Sequence, residues 1–127
     1  MDFCRYLAII ALAASTLIGA NGAEARRDAG APLAPIAAAD LPAEARSTLT
    51  RIRDNGPFPY ERDGVPFGNR EGMLPLKTRG YYHEYTVKTP GSRGRGARRI
   101  VCGGATASVA ECYYSDDHYQ SFKSIRP

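Results

Sequence analysis

The chain has 127 residues, a length that fits one domain, and a formal charge of +4 at pH 7. Its three cysteines form no CxxC pair and no Cys/His cluster, which argues against a zinc site. The positive charge favours an anionic partner: a nucleic acid, an acidic lipid surface or an acidic protein. Charge alone does not choose among these partners, because many exported proteins are basic for solubility only.

The N-terminus has the order of a secretory signal peptide. A short start with Arg5 precedes an apolar run at 7–18 and a small-residue end, where 23–25 fits an A-x-A cleavage site. The run is too short to span a bilayer, so a retained membrane anchor is the weaker alternative. We therefore expect a secreted, extracellular protein that loses residues 1–25 and has no membrane association afterwards. The mature chain then carries +5, from 16 Lys and Arg against 11 Asp and Glu.

Residues 26–39 are rich in alanine and proline, so they predict a flexible leader before a folded domain at 40–127. One helix opens this domain, because Asp40 can cap it and Pro42 suits its first turn. Three apolar residues recur at i, i+4 and i+7 and form one stripe: Ala45, Leu49 and Ile52. The residues at 55–57, Asn-Gly-Pro, end the helix.

The remaining sequence predicts short β-strands at 81–87, 98–102, 111–115 and 119–125, with Gly-containing turns between them. One helix followed by several such strands predicts an α+β fold, in which the N-terminal helix packs on a twisted antiparallel sheet. Cys102 and Cys112 are ten residues apart, which suits two facing positions on a β-hairpin. A disulfide is therefore expected outside the cell, and two buried free thiols are the alternative.

Side-chain alternation places chemically active residues on one face of the predicted sheet. In the strand at 81–87, Glu84 shares a face with Tyr82 and Thr86. In the next strand Arg99 points away from Ile100, so it reaches the open face if Ile100 packs on the helix. Three further candidates come from loops, namely Arg93, Arg95 and His118.

A carboxylate, a histidine and several arginines suit the cleavage of RNA phosphodiesters. RNA carries its own nucleophile, the 2′-hydroxyl, so a base must take its proton and an acid must protonate the departing 5′-oxygen. Glu84 and His118 can fill these roles, while arginines match the charge that develops on the phosphoryl oxygens. No metal or other cofactor is needed. Each residue also has an ordinary alternative as a surface carboxylate, a structural histidine or a solvated basic edge.

Five segments, in order and spacing, resemble the microbial guanyl-specific ribonucleases, the family that includes barnase. They are GPFPY at 56–60, DGVPFGNRE at 63–71, YYHEYTV at 81–87, the stretch from TPG to Arg at 89–99, and DHYQSF at 117–122. The resemblance covers about residues 41 to 127. It implies an endoribonuclease that cleaves single-stranded RNA 3′ of guanosine to a 2′,3′-cyclic phosphate, which is then hydrolysed to a 3′-phosphate.

The resemblance implies a role for each residue of the catalytic group. Glu84 matches the family's general base, and His118 matches its general acid. Arg95 and Arg99 match its two phosphate-binding arginines. Gly103 to Glu111 is a longer turn than in close relatives, and Cys112 is an added partner for Cys102.

The resemblance also implies a guanine-recognition loop at 67–71. Its substrate-binding residues are Phe67, Asn69, Arg70 and Glu71, and Tyr119 lies beside the base or the phosphate. Glu71 accepts hydrogen bonds from guanine N1 and N2, while backbone amides near Asn69 and Arg70 meet O6 and N7. Adenine lacks that pair of donors, so a fixed Glu71 disfavours it. Gly68 departs from the family, which carries a side chain there.

The expected partners follow from the same resemblance. They are single-stranded RNA and a small acidic intracellular inhibitor of the barstar kind, and the protein is expected to be a monomer. Three other functions stay open: an RNA-binding protein of the same fold without activity, a secreted protein that acts on membranes or an acidic partner, and a toxin with the same chemistry. The absence of an amphipathic cationic helix argues against direct membrane action.

Overall fold

The computed structural model describes residues 32–127, so the predicted signal peptide and the first part of the predicted leader lie outside the described residues. One α-helix packs on a five-stranded sheet. The elements are β1 (Pro35–Ala37), a 3₁₀ helix (Ala38–Asp40), α1 (Ala43–Arg53), β2 (Tyr82–Thr86), β3 (Arg99–Gly103), β4 (Cys112–Ser115) and β5 (Lys123–Arg126). Within residues 32–127, no helix has the length and apolar character needed to cross a bilayer.

The predicted α+β fold is confirmed, with one difference in the sheet. The strand order is β1-β5-β4-β3-β2, and β2 to β5 pair in antiparallel fashion. β1 instead runs parallel to β5, with Ile36 opposite Ile125, so the sheet is mixed rather than purely antiparallel. Antiparallel neighbours need only short turns, whereas this parallel pair joins residues almost ninety positions apart, which local patterns do not reveal.

The flexible leader was predicted to extend to residue 39, and this is wrong for its last part. Residues 35–37 form the edge strand β1, and the Ser124 N–H donates to the carbonyl of Ala34 at 3.0 Å. Ile36 packs against the core beside the helix. Two large apolar residues, Leu33 and Ile36, among alanines and prolines give too little pattern to predict a strand, but both pack against the core.

The helix has the predicted apolar stripe but not the predicted cap. Ala45, Leu49 and Ile52 are buried, and Thr48 on the same side donates to the carbonyl of Thr86 at 3.2 Å. Asp40 lies in the 3₁₀ helix, and the N-cap is Pro42, which makes no side-chain hydrogen bond. The helix is therefore held by the burial of one face rather than by its cap.

The two faces of the sheet bury different groups of residues. Those packed with the helix include Tyr85, Ile100, Cys102 and Tyr114. The opposite face carries a second cluster of Leu74, Tyr82, Val101, Tyr113 and Phe122. Since side chains alternate along a strand, Glu84 and Arg99 point to the second face, as the sequence pattern predicts.

The predicted disulfide between Cys102 and Cys112 is confirmed. The two residues are directly opposite in the β3–β4 pair, and their Cα atoms are 4.1 Å apart. Both are buried against the helix side of the sheet. The bridge therefore closes the hairpin that carries Arg99 at its far end.

Removal of this bridge in the Cys102→Ala/Cys112→Ala variant should lower the free energy of unfolding by about 3 kcal/mol, because the unfolded chain regains the freedom of a loop of roughly ten residues. Urea unfolding followed by circular dichroism measures the change. Dithiothreitol should lower the midpoint of the unmodified protein and leave the variant unaffected. Equal midpoints for the two proteins without reductant would contradict the expectation.

Candidate active site

Glu84 is a buried carboxylate at the centre of β2, with 7% of its surface exposed. Its backbone is fixed on both sides: it pairs with Val101 of β3, and its N–H donates to the carbonyl of Val65 at 2.9 Å. A buried charge is stable only with partners. The hydroxyl of Tyr119 donates to Oε2, and Oε1 lies 3.7 Å from Nε of Arg62 and 3.8 Å from Nη2 of Arg95.

Arg95 reaches this carboxylate from the loop between β2 and β3. Its Nε and Nη2 both donate to the hydroxyl of Thr86, at 3.1 and 2.8 Å. Thr86 is two residues beyond Glu84 on the same strand, so the two side chains share a face. The threonine therefore holds the guanidinium of Arg95 beside the carboxylate.

Arg99 is almost completely buried, with 2% of its surface exposed. It lies at the start of β3, opposite Thr86 on one side and Ser115 on the other. Its Nη1 donates to the carbonyls of Gly96 and Arg98 at 3.0 and 2.8 Å. Within residues 32–127, its Nε has no hydrogen-bond partner. Buried donors without a partner are rare in folded proteins, and they are often found at functional sites.

His118 lies in the turn between β4 and β5 and is exposed. Its backbone N–H donates to the carbonyl of Ala97 at 2.9 Å, which ties the turn to the loop before Arg99. The imidazole ring is 5.0 Å from the ring of Tyr119. Because the hydroxyl of Tyr119 meets Glu84, this one tyrosine touches both the carboxylate and the histidine.

A cavity of about 390 Å³ opens beside His118 and Tyr119. Its other wall is the predicted recognition loop at 67–71, and Phe122 and Met73 contribute apolar surface. Phe67 stacks at 5.1 Å on Tyr119 and meets the edge of Phe122 at 5.9 Å. The predicted recognition loop and the predicted acid therefore line one cavity.

The side chain of Asn69 shapes the loop. Its Nδ2 donates to the carbonyl of Leu74 at 3.0 Å, and its Oδ1 accepts from the N–H of Leu74 at 3.1 Å. Asn69 has a φ of 48°, a left-handed conformation that asparagine tolerates better than most residues. Its side chain is thus hydrogen-bonded within the loop, and residues 68–70 line the cavity. Glu71 is exposed at the cavity wall.

Burial and the neighbouring Glu84 carboxylate raise the pKa of Tyr119 far above its ordinary value. A raised pKa means that the phenol stays protonated through the neutral and mildly alkaline range. Tyr119 therefore remains a hydrogen-bond donor to Glu84 throughout this range. Among residues 32–127, no three His, Cys, Asp or Glu side chains group together to hold a metal ion.

The structure brings Glu84, Arg99 and His118 together around Tyr119, and it places Arg95 beside Glu84. Sequence reasoning missed two further contributors. Thr86 was placed on the correct face, yet its hold on Arg95 depends on how the loop folds back. Arg62 gave no signal, because it reaches Glu84 only through the pairing of the segment after it, 64–67, with the outer edge of β2. Arg93, in the same loop as Arg95, is exposed.

A family model described as ribonuclease matches residues 24–126. The chain is 58% identical over 85 residues to guanyl-specific ribonuclease Sa of Kitasatospora aureofaciens, which covers 67% of this chain and 85% of that protein. It is 54% identical over 85 residues to guanyl-specific ribonuclease St of Saccharopolyspora erythraea, which covers 67% of this chain and 80% of the relative.

Solved structures of ribonuclease Sa2 have the same fold. The complexes of Sa2 with mononucleotides match at a TM-score of 0.72 and 52% identity, over 77% of this chain and 98% of that one. Sa2 with 3′-GMP matches at a TM-score of 0.67 and 52% identity, over 75% and 98%. With the family model over most of the sequence and such relatives, the chain belongs to the microbial guanyl-specific ribonucleases.

Proposed function

We propose that this protein is an endoribonuclease that cleaves single-stranded RNA on the 3′ side of guanosine. The observation that carries the proposal is the position of Tyr119, which contacts the buried Glu84 carboxylate, the His118 ring and the wall of the cavity. A general base, a general acid and a cavity large enough for a nucleobase thus adjoin one another. Relatives Sa and St are guanyl-specific ribonucleases by name, which supports guanosine as the nucleoside at the cleavage site.

In the first step Glu84 takes the proton of the ribose 2′-hydroxyl. The 2′-oxygen forms a bond to phosphorus, the bond from phosphorus to the 5′-oxygen breaks, and His118 gives its proton to that departing oxygen. The products are a guanosine 2′,3′-cyclic phosphate and a free 5′-hydroxyl. Because Tyr119 occupies Oε2 of Glu84, Oε1 is the atom that receives the proton.

The guanidinium groups stabilise the charge that develops on the phosphoryl oxygens. Arg99 offers its unpartnered Nε, and Arg95 is fixed through Thr86 beside the carboxylate. Arg62 adds a second guanidinium within 4 Å of the same carboxylate, on a largely exposed side chain. Donors fixed in advance are effective because they need no reorganisation during the reaction, and they supply what a metal ion would otherwise provide.

In the second step the two residues exchange roles. His118, now neutral, takes a proton from water, and the water oxygen forms a bond to phosphorus. The bond from phosphorus to the 2′-oxygen breaks, and that oxygen receives the proton held by Glu84. The product is a guanosine 3′-phosphate, and both side chains return to their starting state.

Guanine is proposed to enter the 390 Å³ cavity beside the loop at 67–71. Phe67 and Tyr119 provide aromatic surface for the base, and backbone amides at Asn69 and Arg70 meet its O6 and N7. Glu71 accepts hydrogen bonds from N1 and N2. A Cβ at Gly68 would lie 3.4 Å from Cγ of Arg70, and recognition through the backbone does not require a side chain there.

Two features of the proposal rest on sequence and stay predictions. The N-terminal segment predicts export, and the charge of the mature chain, together with the family, predicts a small acidic inhibitor in the producing cell. Complementary charge would speed the encounter of enzyme and inhibitor, as for barnase and barstar. A monomer remains the expected state.

Glu84→Gln and His118→Ala should each lower kcat for GpC by about 10²- to 10⁴-fold, because each removes one proton-transfer group. The assay follows guanosine 2′,3′-cyclic phosphate by chromatography in EDTA. Glu44→Gln, on the helix, and His83→Ala, which alternates with Glu84 on β2, are the matched controls and should keep full activity. A folded, unmodified protein that binds RNA without turnover would instead support a binding function.

Glu71→Ala should lower the ratio of kcat/KM for GpC over ApC by about 10- to 100-fold, because hydrogen bonds to a charged acceptor contribute roughly 1.5–3 kcal/mol. Glu44→Ala, with the same loss of charge, should leave the ratio unchanged. Initial rates on the two dinucleotides give the ratio. If the unmodified protein cleaves both at equal rates, Glu71 does not read guanine.

Tyr119→Phe should lower kcat for GpC by about 10- to 100-fold, because the carboxylate of Glu84 loses a hydrogen bond from a buried donor. The aromatic ring remains, so the preference for GpC over ApC should not change. The control is Tyr81→Phe, which removes a phenol bound to Glu111 at 2.8 Å, away from the cavity. Full activity of Tyr119→Phe would show that the phenol does not orient the carboxylate of Glu84.

A further inference from the structure

The turn at 115–121 holds its two functional residues in an unusual backbone conformation. His118 has a φ of 56° and Tyr119 a φ of 71°, both in the left-handed region that residues with a side chain seldom adopt. Two such residues in succession are unfavourable unless their surroundings enforce the conformation. The turn must therefore contain interactions that hold it in this form.

Asp117 makes most of those interactions. Its Oδ1 accepts from the hydroxyl of Ser115 and from the N–H of Ser121, both at 2.9 Å, and its Oδ2 accepts from the hydroxyl of Ser121. The hydroxyl of Ser115, at the buried end of β4, in turn accepts from the N–H of Tyr119 at 2.9 Å. A single carboxylate thus ties the start of the turn to its end.

These bonds also keep the side chain charged. Hydrogen bonds from Ser121 hold the pKa of Asp117 below its usual range, so the group is a carboxylate at neutral pH. Both of its oxygens are occupied by donors of the turn. Within residues 32–127 the hydrogen bonds of Asp117 all lie in this turn, so we assign it an effect through the residues that it holds.

We propose that Asp117 is a positioning residue for His118, and that it fixes the turn so that the imidazole faces the leaving oxygen of the RNA. The inference rests on the proposed function of His118 as general acid. The hydrogen bond from the N–H of His118 to the carbonyl of Ala97 fixes the other side of the turn, next to the loop that ends at Arg99. The positions of His118 and Arg99 relative to each other are thereby fixed.

A comparison of two substrates with different leaving groups distinguishes this role from a general effect on folding. The 5′-oxygen of GpC needs a proton as it departs, whereas 4-nitrophenolate in guanosine 3′-(4-nitrophenyl phosphate) departs without one. Asp117→Ala should therefore lower kcat for GpC at least about tenfold more than kcat for the nitrophenyl ester, as loss of the acid itself does. His118→Ala is the reference and should show the same dependence on leaving group.

Two variants complete the experiment. Asp117→Asn keeps an oxygen acceptor for Ser115 and Ser121 and should recover most of the lost activity. Asp116→Ala removes the same charge one residue earlier, on an exposed side chain, and should retain full activity on both substrates. Ser121→Ala deletes only one donor to Asp117 and serves in place of Asp117→Ala if that variant does not fold.

The outcomes distinguish the positioning role of Asp117 from the general-acid role of His118. An equal loss of kcat on both substrates in Asp117→Ala, beside the leaving-group dependence of His118→Ala, would overturn the role of Asp117 and leave the acid intact. An equal loss on both substrates in His118→Ala would overturn the assignment of the acid and the positioning role with it. Full activity of Asp117→Ala would also overturn the positioning role.

Discussion

The carboxylate of Glu84 is removed from water, and the surrounding structure is arranged to compensate for this. A phenol occupies one of its oxygens, and two guanidinium groups lie within 4 Å of the other. Each partner comes from a different part of the chain: Arg62 before β2, Arg95 between β2 and β3, and Tyr119 after β4. Side chains from three loops therefore converge on the charge of one strand, and these loops form the site.

The strands hold some side chains of the site rigidly, and the loops leave others accessible from solvent. Glu84 and Arg99 lie on neighbouring strands of the sheet, and their positions are fixed by ladder hydrogen bonds and by the packing of the helix on the other face. His118 lies in a turn that reaches solvent, where the departing oxygen and later the water molecule of the proposed mechanism can approach. The disulfide closes the hairpin of β3 and β4, between the strand of Arg99 and the strand that leads to His118.

The sequence predicts the parts of this arrangement that depend on periodicity. Alternation along two strands places Glu84 and Arg99 on one face, and the spacing of Ala45, Leu49 and Ile52 predicts the helix that covers the other. The parallel pairing of β1 and the approach of Arg62 could not be predicted, because both depend on contacts between distant segments whose local patterns are weak. The assignment of guanine rests on resemblance to a family, because the spacing of residues in one sequence does not show which nucleobase is recognised.

The turn at 115–121 illustrates why local rules fail at this site. Nothing in a single sequence indicates that a histidine and a tyrosine in succession adopt positive φ values, since glycine or asparagine would be the ordinary choice there. The proposed mechanism needs an imidazole and a phenol at those positions, so the conformational cost must be offset by neighbours. Asp117 and the two serines provide the offset with hydrogen bonds that an Asp-His-Tyr segment alone does not reveal. Chemistry thus selects the residues of the turn, and residues without a chemical role determine its shape.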